Sequence, residues 1–273
     1  MINVDELVSA VTRQIENNTL KLPSIPSIMT KITAALNDDS KSTTDIAKII
    51  QTDTAVTGRL IQIANSPALR GSKDITSVHD AISILGLGTV KDVVMCVSIR
   101  DKFRSSNPAL SKQLKELSDK SVRVSVYSSV LLNSVNQPHL KKNTLLLIGM
   151  LYYIGCLPVV EYLNKNDIKL SLKELDEALY SLRPVIGSMI LKAWDLPFDI
   201  IESVGSIGVK YEKGPVIYSD IITMVLRFFD NFDSHDNPLD SRIVEKLGLT
   251  YQEFEEIVAA GYDEISETLA LLS

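Results

Sequence analysis

The 273-residue chain carries 34 acidic and 28 basic side chains for a formal net charge of -6, with 45% apolar and 23% charged residues. At this length folding buries about 70–75% of the extended surface, enough for one large core or two smaller lobes without disulfide or metal support. The balance excludes long disorder, and with no dense basic feature longer than Lys141-Lys142 it weighs against nucleic acid as a partner.

The opening segment VDELVSAVTRQIE sets Val4, Leu7, Val8, Val11 and Ile15 at helical spacing, with Asn3 as cap. It carries acids where a secretory signal would carry a basic region, so no export signal is expected. LPSIP at Leu22 to Pro26 breaks that helix and starts PSIMTKITAAL, since proline suits a first turn. Ser42 followed by Asp45 forms a short capping box ahead of TTDIAKIIQ. The segment DTAVTGRLIQIA from Asp53 to Ala64 is helical by its apolar spacing and stops at Asn65-Ser66-Pro67. The start signal recurs at Ser77 with Asp80 and at Thr89 with Asp92, on either side of Leu85-Gly86-Leu87-Gly88, which reads as a helix end and tight reversal. Five or six short helices thus fill the first hundred residues.

The polar FRSSNP at Phe103 to Pro108 marks a lobe boundary, giving an N-terminal lobe over 1–105 and a second lobe over 106–273. VRVSVYS at Val122 to Ser128 alternates as a strand would, yet it lies in an unbroken run from Leu110 to Val135 and is read as helix. Asn143 to Val160, NTLLLIGMLYYIGCLPVV, is uncharged but holds Gly149, Gly155 and Pro158 and is short of the roughly 20 residues that span a bilayer. A buried central helix is expected there, with no membrane insertion. Ser171 with Glu174 opens the next helix, Pro184, Pro197, Gly214-Pro215 and Pro238 punctuate four more segments, and Thr250 with Glu253 begins the penultimate one. The last runs from about Tyr262 to Leu271. The fold class is all-α.

Little in the inventory supports catalysis. His79, His139 and His235 stand in unrelated contexts and form no metal-ligand pair. LGLGT at Leu85 to Thr89 has neither the strand nor the lysine of a phosphate-cradling loop, and no serine sits in a nucleophile elbow. Cys96 and Cys156 lie far apart in apolar surroundings and read as reduced, buried thiols, which makes the cytoplasm the default location. The carboxylates cluster at helix starts and polar faces, and Tyr152, Tyr153, Tyr162 and Trp194 lie among core residues.

Two stretches carry a specific resemblance. LPSIPSIMTKI from Leu22, continuing through DIAKIIQTDTAVTGRLIQIANSPALRG and ITSVHDAISILGLGTVKDVVM, resembles the N-terminal half of an HDOD domain, a bacterial signalling module related to HD phosphohydrolases. GMLYYIGCLPVV from Gly149 and LRPVIGSMILKAWDLPFDIIESV from Leu182 resemble its later, HD-derived half, and the two together cover most of residues 20 to 230. Asp53-Thr54 departs from the family's usual Asp-Pro but keeps the acidic cap.

The resemblance implies a degenerate site. Where HD enzymes place a His-Asp pair this chain has Tyr152-Tyr153; the other ligand positions fall at Lys120, Arg183 and Ile207-Gly208. Such residues cannot hold the divalent ion that activates water and neutralises phosphate in hydrolysis. The expected function is therefore non-catalytic: a signalling module acting through a protein partner, with no cofactor or metal. Two alternatives stand beside it. Lys120 and Arg183, with Tyr152 and Tyr153, could bind a nucleotide as a sensor, or simply pair with nearby acids such as Asp119; metal-dependent phosphohydrolysis is the remaining rival. Asn65 and Ser66 either cap and turn the chain locally or line an interaction groove between lobes. Within this length no receiver, cyclase, kinase or DNA-binding segment is expected.

Overall fold

Four of the described helices start at a serine or threonine cap, Ser42, Ser77, Ser171 and Thr250. Ser42, Ser171 and Thr250 each accept from the backbone N–H three residues on, while Asp45, Glu174 and Glu253 reach back to the capping residue, so three helix starts are closed by complete capping boxes. The computed structural model describes residues 4–17, 19–66, 69, 73–208, 213–229 and 238–272. The expected cap Asn3, Pro67 of the Asn-Ser-Pro turn, and His235 lie outside the described residues.

Among the described residues there are fourteen α-helices and no strand. The first five are α1 (Val4–Glu16), α2 (Ser27–Leu36), α3 (Thr43–Gln51), α4 (Thr54–Ala64) and α5 (Val78–Ile99). A 3-10 turn, Arg100–Phe103, leads to α6 (Pro108–Ser134), α7 (Lys142–Leu151), α8 (Cys156–Lys165) and α9 (Leu172–Ala193). The chain then forms α10 (Phe198–Ser206), α11 (Tyr218–Phe229), α12 (Pro238–Leu247), α13 (Tyr251–Ala260) and α14 (Tyr262–Leu272).

Helix α6 organises the second half. Its stretch from Val122 to Ser128 is helical, and the apparent alternation is explained by burial on nearly all sides: Val122, Val124 and Val126 are buried, and so are Ser121, Ser125, Ser128 and Ser129. Three of these serines bond back along the helix, Ser121 Oγ to the Leu117 carbonyl (3.0 Å), Ser125 Oγ to that of Val122 (2.9 Å) and Ser129 Oγ to that of Val126 (2.8 Å). Their small size lets α7 lie close, so a Cβ added at Gly149 would fall on the Ser125 backbone. Helices α8, α11, α13 and α14 also pack on α6, and α5 bridges α3 and α4 to α7. The two ends of the chain are tied across the fold: α1 lies on α9, α14 touches α4 as well as α6, and Trp194 Nε1 donates to the Pro23 carbonyl (2.9 Å).

Three local expectations are corrected. The uncharged run from Asn143 to Val160 is two helices, α7 and α8, separated by a turn at Tyr152–Gly155. Its tightest point is Gly155, where an added Cβ would strike the Arg183 carbonyl and stand 2.6 Å from the Gly187 nitrogen; only glycine permits α8 to start this close to α9. The run is buried almost throughout, as the interior of a helical core requires. The second correction concerns Thr89 and Asp92. The helix break expected at Leu85–Gly88 is present as a kink at Gly86 (φ 81°, ψ 155°) that divides α5 into two helical parts, but Asp92 is engaged by Asn143 of α7 rather than by a cap. Third, α9 runs through Pro184 instead of ending there. Proline removes one N–H from the ladder. Neighbouring Arg183 and Gly187 are fixed by tertiary contacts that hold the helix together across that gap.

Candidate functional site

Helix α9 places Asp176, Tyr180 and Arg183 along one face, at the four- and three-residue spacing of neighbouring turns. This face, the α7–α8 turn and α6 enclose a pocket of about 270 Å³ into which Lys120, Tyr152, Tyr153 and Arg183 all project. The four residues singled out in the sequence, drawn from three separate segments, are thus brought together by the fold. Gly208 lines the same pocket, and the Ile207 carbonyl accepts from Arg183 Nη2 at 3.1 Å, so the fifth expected position is adjacent.

Arg183 sits at the pocket floor, only 3% exposed. Its guanidinium carbon lies 3.8 Å from the centre of the Tyr152 ring, a close cation–π stack, and 5.9 Å from that of Tyr180, at the outer limit of such a contact. Tyr152 in turn meets Tyr153 edge to face, with centroids 4.5 Å apart. No carboxylate pairs with Arg183 among the described residues, and its Nε has no hydrogen-bond partner there. No ion pair of Arg183 or Lys120 with Asp119 is found among the described residues, and the Asp119 charge bears on Arg100. Burial alone pulls the Arg183 guanidinium down to about 9, which leaves it cationic at neutral pH.

Lys120, on α6, is exposed and lies toward the pocket mouth; its ammonium bears on the Cys156 thiol, which burial nevertheless pushes far above its ordinary range. Both cysteines are free and buried. Several lining residues carried no local sequence signal. Tyr180 OH donates to the Gly208 carbonyl (2.7 Å), and Gly208 N–H donates to Thr223 Oγ1 (3.1 Å), which fixes the far wall. Arg227 adds a further cation, and Asp176 is the one carboxylate among the described lining residues.

This donor set does not fit a divalent ion. Two phenols, an ammonium and a guanidinium line the pocket at the positions expected for ligands, and no group of three or more His, Cys, Asp or Glu converges among the described residues. His139 Nε2 instead meets the Val216 carbonyl at 2.9 Å.

Asn65 and Ser66 lie elsewhere. Asn65 Nδ2 donates to the carbonyls of Ile61 (3.0 Å) and Ile75 (2.6 Å), and its Oδ1 accepts from Ile75 N–H (2.8 Å). The side chain therefore both caps α4 and pairs with a backbone segment ten residues on, like one rung of a sheet. Ser66 is fully buried beneath it.

A second cavity, of about 340 Å³, lies between α2, α5, α7 and the start of α10. Its floor is apolar, with Met29, Met95 and Leu147, and Asp92 stands on its wall, accepting from Asn143 Nδ2 at 2.6 Å. Burial raises the Asp92 carboxyl above its usual range and outweighs the Asn143 hydrogen bond.

Fourteen helices with a pocket lined by tyrosines and cations define an all-α fold of the HD type, with no metal-ligand cluster among the described residues. Residues 22–207 match the HDOD domain family, and the chain belongs to it. A structure from Shewanella amazonensis SB2B, named as a metal-dependent phosphohydrolase, is similar over 100% of both chains, at 23% identity and a TM-score of 0.86. An HDOD domain protein of unknown function from Geobacter sulfurreducens is similar over 99% of this chain and 98% of its own, at 20% identity and a TM-score of 0.60. A protein from Marinobacter aquaeolei VT8 named for signal transduction is similar over 100% of this chain and 67% of its own, at 15% identity and a TM-score of 0.60. At these identities the likeness is one of fold. No curated protein matches the chain in sequence.

Proposed function

We propose that this HDOD module transmits a signal by docking a protein partner, in the cytoplasm and without chemistry of its own. The observation that supports the reading is the Arg183–Tyr152 stack, at 3.8 Å, at residues that the family resemblance aligns with the metal ligands of HD enzymes: a guanidinium and a phenol are poor partners for a divalent ion. Large apolar side chains left in solvent, Phe198 at 74%, Tyr262 at 67% and Val185 at 58%, supply contact area for a partner. The division into lobes at 1–105 and 106–273 belongs to the same proposal, with the packing of α14 on both α4 and α6 joining them. The test is recovery of a partner with full-length bait from native cells, followed by reconstitution from purified components. Saturable 1:1 binding supports the reading, and absence of any saturable partner with folded bait overturns it.

A second reading, a sensor that responds to a nucleotide, is favoured by one observation. Arg183 and Lys120 line a single pocket and neither is neutralised by a carboxylate among the described residues. In this reading the nucleotide is the input and the protein contact the output.

A further inference from the structure

A buried guanidinium ordinarily keeps a carboxylate beside it, because a desolvated charge without a counterion is costly. Arg183 breaks this rule. It is almost wholly buried, it spends one nitrogen on the Ile207 carbonyl, and its Nε is directed to no acceptor among the described residues. The fold holds it in place by stacking on Tyr152, so its geometry does not depend on a counterion. A charge that is positioned but not neutralised from within is suited to an anion from outside.

We propose that the Arg183 pocket binds a compact small molecule bearing a single terminal phosphoryl group, with Arg183 gripping its oxygens from the floor and Lys120 closing on it from the mouth. This rests on the sensor reading above and narrows its ligand. The number of charges and the size of the cavity together select the class. Three cations on the described lining, Lys120, Arg183 and Arg227, against the single carboxylate Asp176 leave two positive charges, which match the near-dianion of a phosphate monoester. A volume of about 270 Å³ lies just below the usual range of about 300–1,000 Å³ for small-molecule sites, which admits a sugar phosphate or one nucleotide but not a cyclic dinucleotide with two bases. The Tyr180 ring, 51% exposed and tied to Gly208 by its hydroxyl, offers a flat face at the rim for the body of the ligand.

The test is titration calorimetry of the full chain at low salt against inorganic phosphate, ribose 5-phosphate, adenosine monophosphate and cyclic diguanylate, with sulfate as the control for unselective anion binding. The expected result is saturable 1:1 binding of the monophosphates, weakened about tenfold or more in Arg183→Met and about threefold to fivefold in Lys120→Ala. Because Lys120 is exposed, its variant keeps the fold and decides the matter if Arg183→Met does not. Stronger, Arg183-dependent binding of cyclic diguanylate would overturn the ligand class while leaving the sensor reading intact. Sulfate binding as tight as phosphate would likewise overturn the class. No binding by any of them, or binding indifferent to both substitutions, would overturn the class and the sensor reading together.

Discussion

Replacing Arg183 by methionine separates a residue kept for ligand binding from one kept for stability. The side chain is 3% exposed, and burial lowers its guanidinium well below its ordinary value, to about 9, which at about 1.4 kcal/mol per pH unit costs the folded state about 5 kcal/mol at neutral pH. Against this stand a charged hydrogen bond to the Ile207 carbonyl, about 1.5–3 kcal/mol, and stacking on Tyr152, about 2 kcal/mol. Methionine fills similar volume without the charge. Arg183→Met should therefore fall between neutral and about 2 kcal/mol more stable, measured as the shift of a urea midpoint followed by circular dichroism at pH 7. The pH dependence has a definite sign. A cation with a depressed folded value is penalised in full below about 9, and the penalty fades as pH rises through that value, so the wild type should gain on the variant between pH 7 and 10. A loss of more than about 3 kcal/mol at pH 7, the cost of breaking a paired buried charge, would refute the reasoning and make Arg183 a structural residue.

Other outcomes follow from the same geometry. Gly155→Ala should cost more than about 3 kcal/mol, read by thermal unfolding, because its Cβ meets the Arg183 carbonyl and the Gly187 nitrogen, neither of which is a movable side-chain end. Asn65→Ala should cost about 2–3 kcal/mol in urea and speed amide exchange at Ile75, since both the N–H and the C=O of Ile75 lose their partner. Asp220→Asn should cost about 3–5 kcal/mol by removing the carboxylate held 2.6 Å from the buried Lys246 ammonium. Asp92→Asn should flatten the pH dependence of stability on the acid side. Its raised carboxyl lends stability that is fully present below the unfolded value and lost as pH rises through the folded one.

The fold was legible wherever the instructions are local. Ser42 with Asp45, Ser171 with Glu174 and Thr250 with Glu253 announce helices within four residues, and each forms the reciprocal bonds its pattern implies. The HDOD resemblance placed Lys120, Tyr152, Tyr153 and Arg183 at equivalent positions, and the fold gathers them into one pocket. What escaped is set by contacts distant in sequence. The break between α7 and α8 depends on how closely Gly155 approaches α9, and nothing in an uncharged run announces that. Thr89 and Asp92 carry a capping spacing, yet Asn143, 51 residues away, takes the carboxylate. Tyr180 reaches Gly208 across 28 residues. Its one sequence trace was its position three residues before Arg183, on the same helical face.

The claim that this HD-type pocket has exchanged hydrolysis for interaction is tested most directly by metal analysis of the purified protein, joined to turnover of a phosphodiester substrate with added Mn, Fe, Ni or Zn. The account predicts no stoichiometric metal and no metal-dependent hydrolysis, because phenols and cations line the pocket where the resemblance would put the ligands. One equivalent of bound metal with metal-dependent turnover would contradict it.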